Sequence, residues 1–275
     1  MKNNFTKTFS KRSLVALLLC VFTASRVFAQ CPGQTLGATI ITNTTWTTNA
    51  TIDHNIEVTT GVTLTMQTAT FSFIPNAKIT VDYGAHLVLN GAILTHNCTG
   101  LWRGIVIIGD STADQDDAMS SITIEGGSQI NYAKIGVLLG DSTDSAGGGA
   151  ILTMTSSSIN NCREGVIFLS YPDSNTSSFV SSRFTASVLL PGYDSACTDV
   201  CLSLIQVHGI IIAGCSFINT VSDSLLSKVN GGGTGVSGKN AGYSLYPLIF
   251  IPVGTLTKTH VNAVQGLLIQ FTVLA

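Results

Sequence analysis

The chain has 275 residues, 10% of them charged and 45% hydrophobic, with a formal charge of −2. Five of its 13 basic residues precede Ala29, which leaves 8 basic against 15 acidic residues beyond it, a formal charge of −7. Such a surface repels phosphate backbones and argues against a nucleic-acid partner, while the abundance of Thr, Ser, Asn and Gly disfavours helices and suits strands joined by turns.

In chain order, the first element is a leader. Lys7, Lys11 and Arg12 precede an apolar run from Leu14 to Phe22, and Val27 and Ala29 occupy the small-residue positions of a cleavage site. Residues 1–29 therefore read as a secretory signal peptide. The run is too short to span a bilayer, and no later segment reads as a membrane helix. The expectation is a secreted or cell-surface protein whose single domain covers residues 30–275. Cys31, Cys98, Cys162, Cys197, Cys201 and Cys215 remain after the leader, an even count that permits disulfides in an exported protein. Cys197 and Cys201 are the pair close enough in sequence to close a loop.

The body of the chain repeats itself. Gly104–Ile108, Gly136–Leu139, Gly165–Leu169, Gly209–Ile212 and Gly266–Ile269 are each a glycine followed by a short apolar run, and Gly235-Val236 is a degenerate copy. The 44 residues between Gly165 and Gly209 imply an insertion near 171–203, rich in Ser, Pro and Asp. Upstream, Ile79–Leu87, Ile122–Ile130 and Ile151–Ile159 alternate apolar with polar residues. "QINYAKIGV" and "SINNCREGV" then align without a gap and place Asn131 over Asn160 and Gly136 over Gly165. An asparagine near Asn219 echoes the same position. Alternation turns one face of each strand inward, and a strand of this kind is stable only when stacked copies share a core. Repeats of about thirty residues without helical periodicity predict an all-β fold, a parallel β-helix, with the asparagines as an amide ladder at a corner. A β-propeller or an antiparallel sandwich would want longer blades or frequent hairpin turns, and Asn-Gly occurs only at Asn90-Gly91.

The stretch "ITVDYGAHLVLNGAILTHNCTGLWRGIVIIGD" resembles secreted right-handed parallel β-helix proteins of the pectin-lyase-like superfamily, of the kind exported by Bacteroidetes-type bacteria. The likeness covers about Thr59 to Asn219. It implies the right-handed solenoid; members of the group include lyases, hydrolases and proteins without activity. The terminal "GLLIQFTVLA" is an apolar strand with no polar cap, so the expectation is an incomplete chain, truncated at the C-terminus.

Three features could carry chemistry. Trp102, Arg103 and Asp110 could contact a sugar through an aromatic face and a cationic fork, with Lys134 and Arg163 extending a basic strip; equally, Trp102 is a packed corner and the cations cover it. Asp114, Asp116 and Asp117 could hold calcium, although their loop lacks the glycine and terminal glutamate of a helix-loop-helix site. The histidines, His54, His86, His96, His208 and His260, show no metal or triad spacing. Asp53, Asp82 and Asp199 are the few strand carboxylates available to a lyase. The reading adopted is a non-catalytic exported module, adhesin-like or in contact with a polysaccharide or cell-surface glycan, with no required cofactor. The alternative is a carbohydrate-active enzyme, lyase or glycoside hydrolase, using the face beside Trp102, Arg103 and the Asp110–Asp117 loop.

Overall fold

The computed structural model describes residues 38–98, 100–115, 119–141, 147–188, 200–205, 207–219, 234–239, 243–245 and 249–252. They form a right-handed parallel β-helix in which each coil contributes one strand to each of three sheets. In chain order the coils are β1 (Thr39–Ile40), β2 (Thr44–Trp46) and β3 (Ala50–Ile52); β4 (Ile56–Val58), β5 (Thr63–Gln67) and β6 (Thr70–Phe73); β7 (Lys78–Val81), β8 (His86–Asn90) and β9 (Ile93–His96); β10 (Trp102–Ile107), β11 (Ser121–Glu125) and β12 (Gln129–Asn131); β13 (Ala133–Leu139), β14 (Ile151–Thr155) and β15 (Ser158–Asn160); β16 (Glu164–Phe168), β17 (Ser178–Val180) and β18 (Arg183–Ala186); β19 (Val200–Ile205), β20 (Ile210–Ala213) and β21 (Ser216–Asn219); β22 (Thr234–Lys239), β23 (Tyr243–Leu245) and β24 (Ile249–Pro252). The first strand of each coil joins sheet A, the second sheet B and the third sheet C, always parallel to the strand one coil away.

Period-two patterning explains the core. In sheet B, Leu64, Leu87, Ile122 and Leu152 stack in one inner column and Met66, Leu89, Ile124 and Met154 in the next, all fully buried. Each such side chain contributes about 1.5–3 kcal/mol on leaving water. The residues between them, such as Thr65, Thr123 and Thr153, point outward.

The corners have their own chemistry. Between sheets B and C, Thr68, Gly91, Gly127, Ser156, Ser181 and Gly214 all have positive φ, from +47° to +79°. A small buried residue follows each: Ala69, Ala92, Ser128, Ser157, Ser182 and Cys215. The serine hydroxyls donate to carbonyls just upstream, Ser157 to Thr155 at 2.8 Å and Ser182 to Val180 at 3.0 Å. In the first coils asparagines serve the corners differently, by accepting strand amides, one at each of the three corners. The Oδ1 atoms of Asn43, Asn49 and Asn55 accept the amides of Thr63, Thr70 and Lys78, which begin or adjoin β5, β6 and β7.

The asparagine ladder is present as expected. Asn131 pairs with Asn160, whose Nδ2 donates to Asn131 Oδ1 at 2.9 Å. Asn219 does not continue it. It pairs with Ala186, whereas Asn160 pairs with Thr185, so Asn219 is one residue out of the column.

Three further expectations need correction. Gly136 packs on Gly165, and Gly104 sits beside Gly136 across a bulge, but all three lie within sheet A strands rather than ahead of them. Gly209, which shares their sequence form, lies elsewhere, ahead of β20 in sheet B. Glycine followed by an apolar run marks two different corners, and sequence alone merges them. The position over Gly165 is Cys201, followed by Gly235 one coil on; Gly266 lies outside the described residues.

The segment near 171–203 is not wholly an insertion. It holds β17, β18 and part of β19 in ordinary register, with Phe179 and Phe184 buried. Its Ser-rich composition hid strands only three or four residues long; residues 189–199 lie outside the described part. Finally, Ile79–Leu87 is not equivalent to Ile122–Ile130, since it spans sheets A and B whereas the latter spans B and C. Leu87 pairs with Ile122.

Candidate functional site

Sheet A positions the residues singled out by sequence. β10 begins with Trp102 pointing inward and Arg103 outward. The indole is fully buried, stacked on Phe73 with centroids 4.3 Å apart and planes 14° from parallel. Its Nε1 donates to the carbonyl oxygen of Asn131 at 2.9 Å. Both faces of its chemistry are therefore used inside the solenoid, and no ring face is presented to a sugar.

Arg103 is exposed. Trp102 pairs with Ala133 and Gly104 with Ile135, which places Arg103 beside Lys134; Ile135 pairs with Glu164, which places Lys134 beside Arg163. The expected basic row exists. Lys134 Nζ donates to Asn76 Oδ1 at 2.7 Å, so the middle of the row is tied down by a neutral partner. The acidic loop downstream does not neutralise Arg103: no ion pair joins it to Asp110 or Asp114 among the described residues. The reason is geometric, since the row stands at the start of β10 and the loop follows its end.

The loop after β10 is ordered by hydrogen bonds. Asp110 Oδ1 accepts from Thr112 N at 2.8 Å and from Thr112 Oγ1 at 2.6 Å. These bonds favour the ionised form and hold the Asp110 carboxyl below its ordinary range. Gln115 reaches along the solenoid. Its Nε2 donates to the Gly149 carbonyl, and its Oε1 accepts from Thr176 N at 2.7 Å and Thr176 Oγ1 at 3.0 Å. Tyr171 OH donates to the Ala113 carbonyl at 3.0 Å. Burial, with Asp173 and Asp114 nearby, raises the Tyr171 phenol above its ordinary value. Sequence reasoning missed Gln115 and Tyr171, whose role depends on coils that only folding brings together.

Asp114 is exposed, while Asp116 and Asp117 lie outside the described residues. Among the described residues, no group of three His, Cys, Asp or Glu side chains is placed to hold a metal ion. Cys197 is likewise outside the described residues, and Cys201 lies in β19. The histidines act locally. His86 Nδ1 contacts Ser121 Oγ at 2.8 Å, and the His96 ring lies tilted by 32° against Tyr132 with centroids 4.4 Å apart.

Among the described residues, the outer faces of sheets B and C are mostly polar, with Val180 and Ile211 as exposed apolar exceptions on sheet B. Thr65, Val88, Thr123, Thr153 and Ser178 form one outward column of sheet B. Ser72, Thr95, Asn131 and Asn160 lie on the outer side of sheet C. No protein-family model matches the chain, and neither a curated protein nor a solved structure matches it.

Proposed function

We propose that the protein is a non-catalytic, exported β-helix module that contacts glycans at the cell surface, akin to the secreted members of the pectin-lyase-like superfamily. The supporting observation is the outward Thr/Ser column of sheet B, flanked by Gln67, Asn90 and Glu125. Strands about 4.8 Å apart present these hydroxyls and amides at regular intervals on a rigid support. Such a surface meets sugar hydroxyls with little ordering cost. The leader supports passage out of the cytoplasm, and the burial of Trp102 supports a scaffold role for that stretch.

The test is binding and turnover measured together on a panel of neutral and acidic polysaccharides. The proposal expects retention by at least one polymer without release of reducing ends or unsaturated products. It also expects Thr123→Lys with Thr153→Lys to weaken retention roughly tenfold while leaving the circular dichroism spectrum unchanged. Release of oligosaccharides that is lost in Asp110→Asn would instead establish the carbohydrate-active enzyme. Absence of retention by every polymer would refute glycan contact.

A further inference from the structure

We infer that the outer face of sheet A over four consecutive coils is a self-association surface, and that a second copy of this chain packs on it in one particular orientation. The inference is independent of the proposed glycan contact, which uses other sheets.

The first observation is the pattern of apolar residues. Sheet B strands alternate, as strands with one wet face should. β10, β13 and β16 do not: Ile105–Ile108, Val137–Leu139 and Val166–Leu169 are continuous apolar runs. Continuous runs characterise parallel strands covered on both faces. The inner half fills the core with Ile105, Val137 and Val166, then Ile107, Leu139 and Phe168. The other half points outward: Val106, Leu138 and Ile167 form one column, continued by Thr80 on the fourth coil and flanked by Ile108, Ile135 and Leu169; Leu138 at its centre is largely covered by its neighbours and the other five aliphatic residues are half-buried. Outer positions on sheets B and C are mostly Thr, Ser, Asn and Gln. Six large aliphatic residues side by side on one outer face, five of them partly open to solvent, form a contiguous apolar patch of the kind that marks an interaction surface.

The second observation is charge. In four coils the sheet A strand starts over a cation and is followed by a carboxylate: Lys78 and Asp82, Arg103 and Asp110, Lys134 and Asp141, Arg163 and Asp173. Glu164 is the one acidic residue at the starting end. The apolar face therefore has a basic margin on one side and an acidic margin on the other. Such a face is complementary to itself only when reversed. A two-fold axis parallel to the solenoid axis reverses the strands, sets coil against coil, and brings each basic margin opposite the acidic margin of the other copy. A two-fold axis along the strands would oppose like charges. Isologous contacts are self-complementary in this way, and charge selects between the two orientations.

Four strands of about six residues, at about 4.8 Å by 3.3 Å per residue, give roughly 400 Å² of sheet per copy. About 800 Å² for the pair is below the roughly 1,200–2,000 Å² of stable specific interfaces and in the range of weak, transient ones, so association depends on concentration and on salt.

Sedimentation velocity on the full chain, over about 1–200 µM at low salt, tests this. The expected result is a monomer–dimer shift within that range that retreats to higher concentration in about 0.5 M salt. Val106→Lys with Ile167→Lys, both outward-facing, should remain monomeric. Lys134→Glu should weaken association about tenfold, and adding Asp141→Lys should restore most of it. A wild-type monomer throughout overturns the inference, whatever the variants do. A dimer indifferent to the two lysine substitutions places the interface elsewhere. A loss in Lys134→Glu that Asp141→Lys does not recover refutes the reversed orientation.

Discussion

Replacing Trp102 by alanine removes the largest fully buried side chain among the described residues. Losing a buried aromatic typically costs about 3–5 kcal/mol through transfer and cavity terms. The indole also stacks on Phe73, a geometry worth about 0.5–1.5 kcal/mol. Its Nε1 donates to the part-buried Asn131 carbonyl, a hydrogen bond worth about 0.5–1.5 kcal/mol. These overlap, so the expected loss is about 4–6 kcal/mol, or roughly 10–20 °C in Tm for a domain of this size. Thermal melts followed by circular dichroism give the number. Trp102→Phe keeps the stack but loses the donor, and should lose about half as much. Arg103→Ala, on the exposed side of the same strand, should change Tm by less than about 2 °C. If Trp102→Ala melted like the wild type and instead lost affinity for a glycan, the reasoning would be wrong and the indole would be a ligand platform.

Two other predictions concern a glycine contact in sheet A and the loop that follows β10. Gly136→Ala puts a Cβ 2.5 Å from the Gly165 carbonyl oxygen, where only backbone could yield; the strands must part, and Tm should fall by several degrees, whereas Gly127→Ala, with open space around its Cβ, pays only the cost of its φ of +79°. Asp110 has a lowered folded-state pKa, so its bonds to Thr112 stabilise the loop above the unfolded value of 3.8 and are lost as pH falls through the lower folded value. Hydrogen exchange should show protection of the Thr112 amide at neutral pH that falls in strong acid relative to the intrinsic rate; unchanged protection in Asp110→Ala, which removes the acceptor, would contradict this.

The fold was legible where residue identity repeats with register. Asn131 over Asn160 and Gly136 over Gly165 align without a gap, and both pairs stack. It was illegible where geometry repeats and identity does not. The corner between sheets B and C needs a left-handed residue and then a small one. Thr68-Ala69, Gly91-Ala92, Ser156-Ser157 and Gly214-Cys215 all satisfy that need without resembling one another. Gly209 was misplaced because a glycine ahead of sheet B looks like one inside sheet A. The candidate site was legible as a row of cations, since spacing alone sets Arg103, Lys134 and Arg163 side by side. Whether Trp102 faced sugar or core was not. An indole suits both, and the decision rests on Phe73 and the Asn131 carbonyl, each 29 residues away.

All of these readings rest on parallel strands stacked coil upon coil. Spin labels on outward positions of one sheet B column measure that directly by dipolar spectroscopy. Thr65 and Ser178 are linked through Val88, Thr123 and Thr153, four coil steps apart. At about 4.8 Å per step their backbones lie about 19 Å apart. Moving the first label from Thr65 to Thr45, one step further out in the column, should lengthen the distance by one step of about 5 Å. A label separation that ignores this step, or one that corresponds to backbones more than about 30 Å apart, would contradict the stacked solenoid.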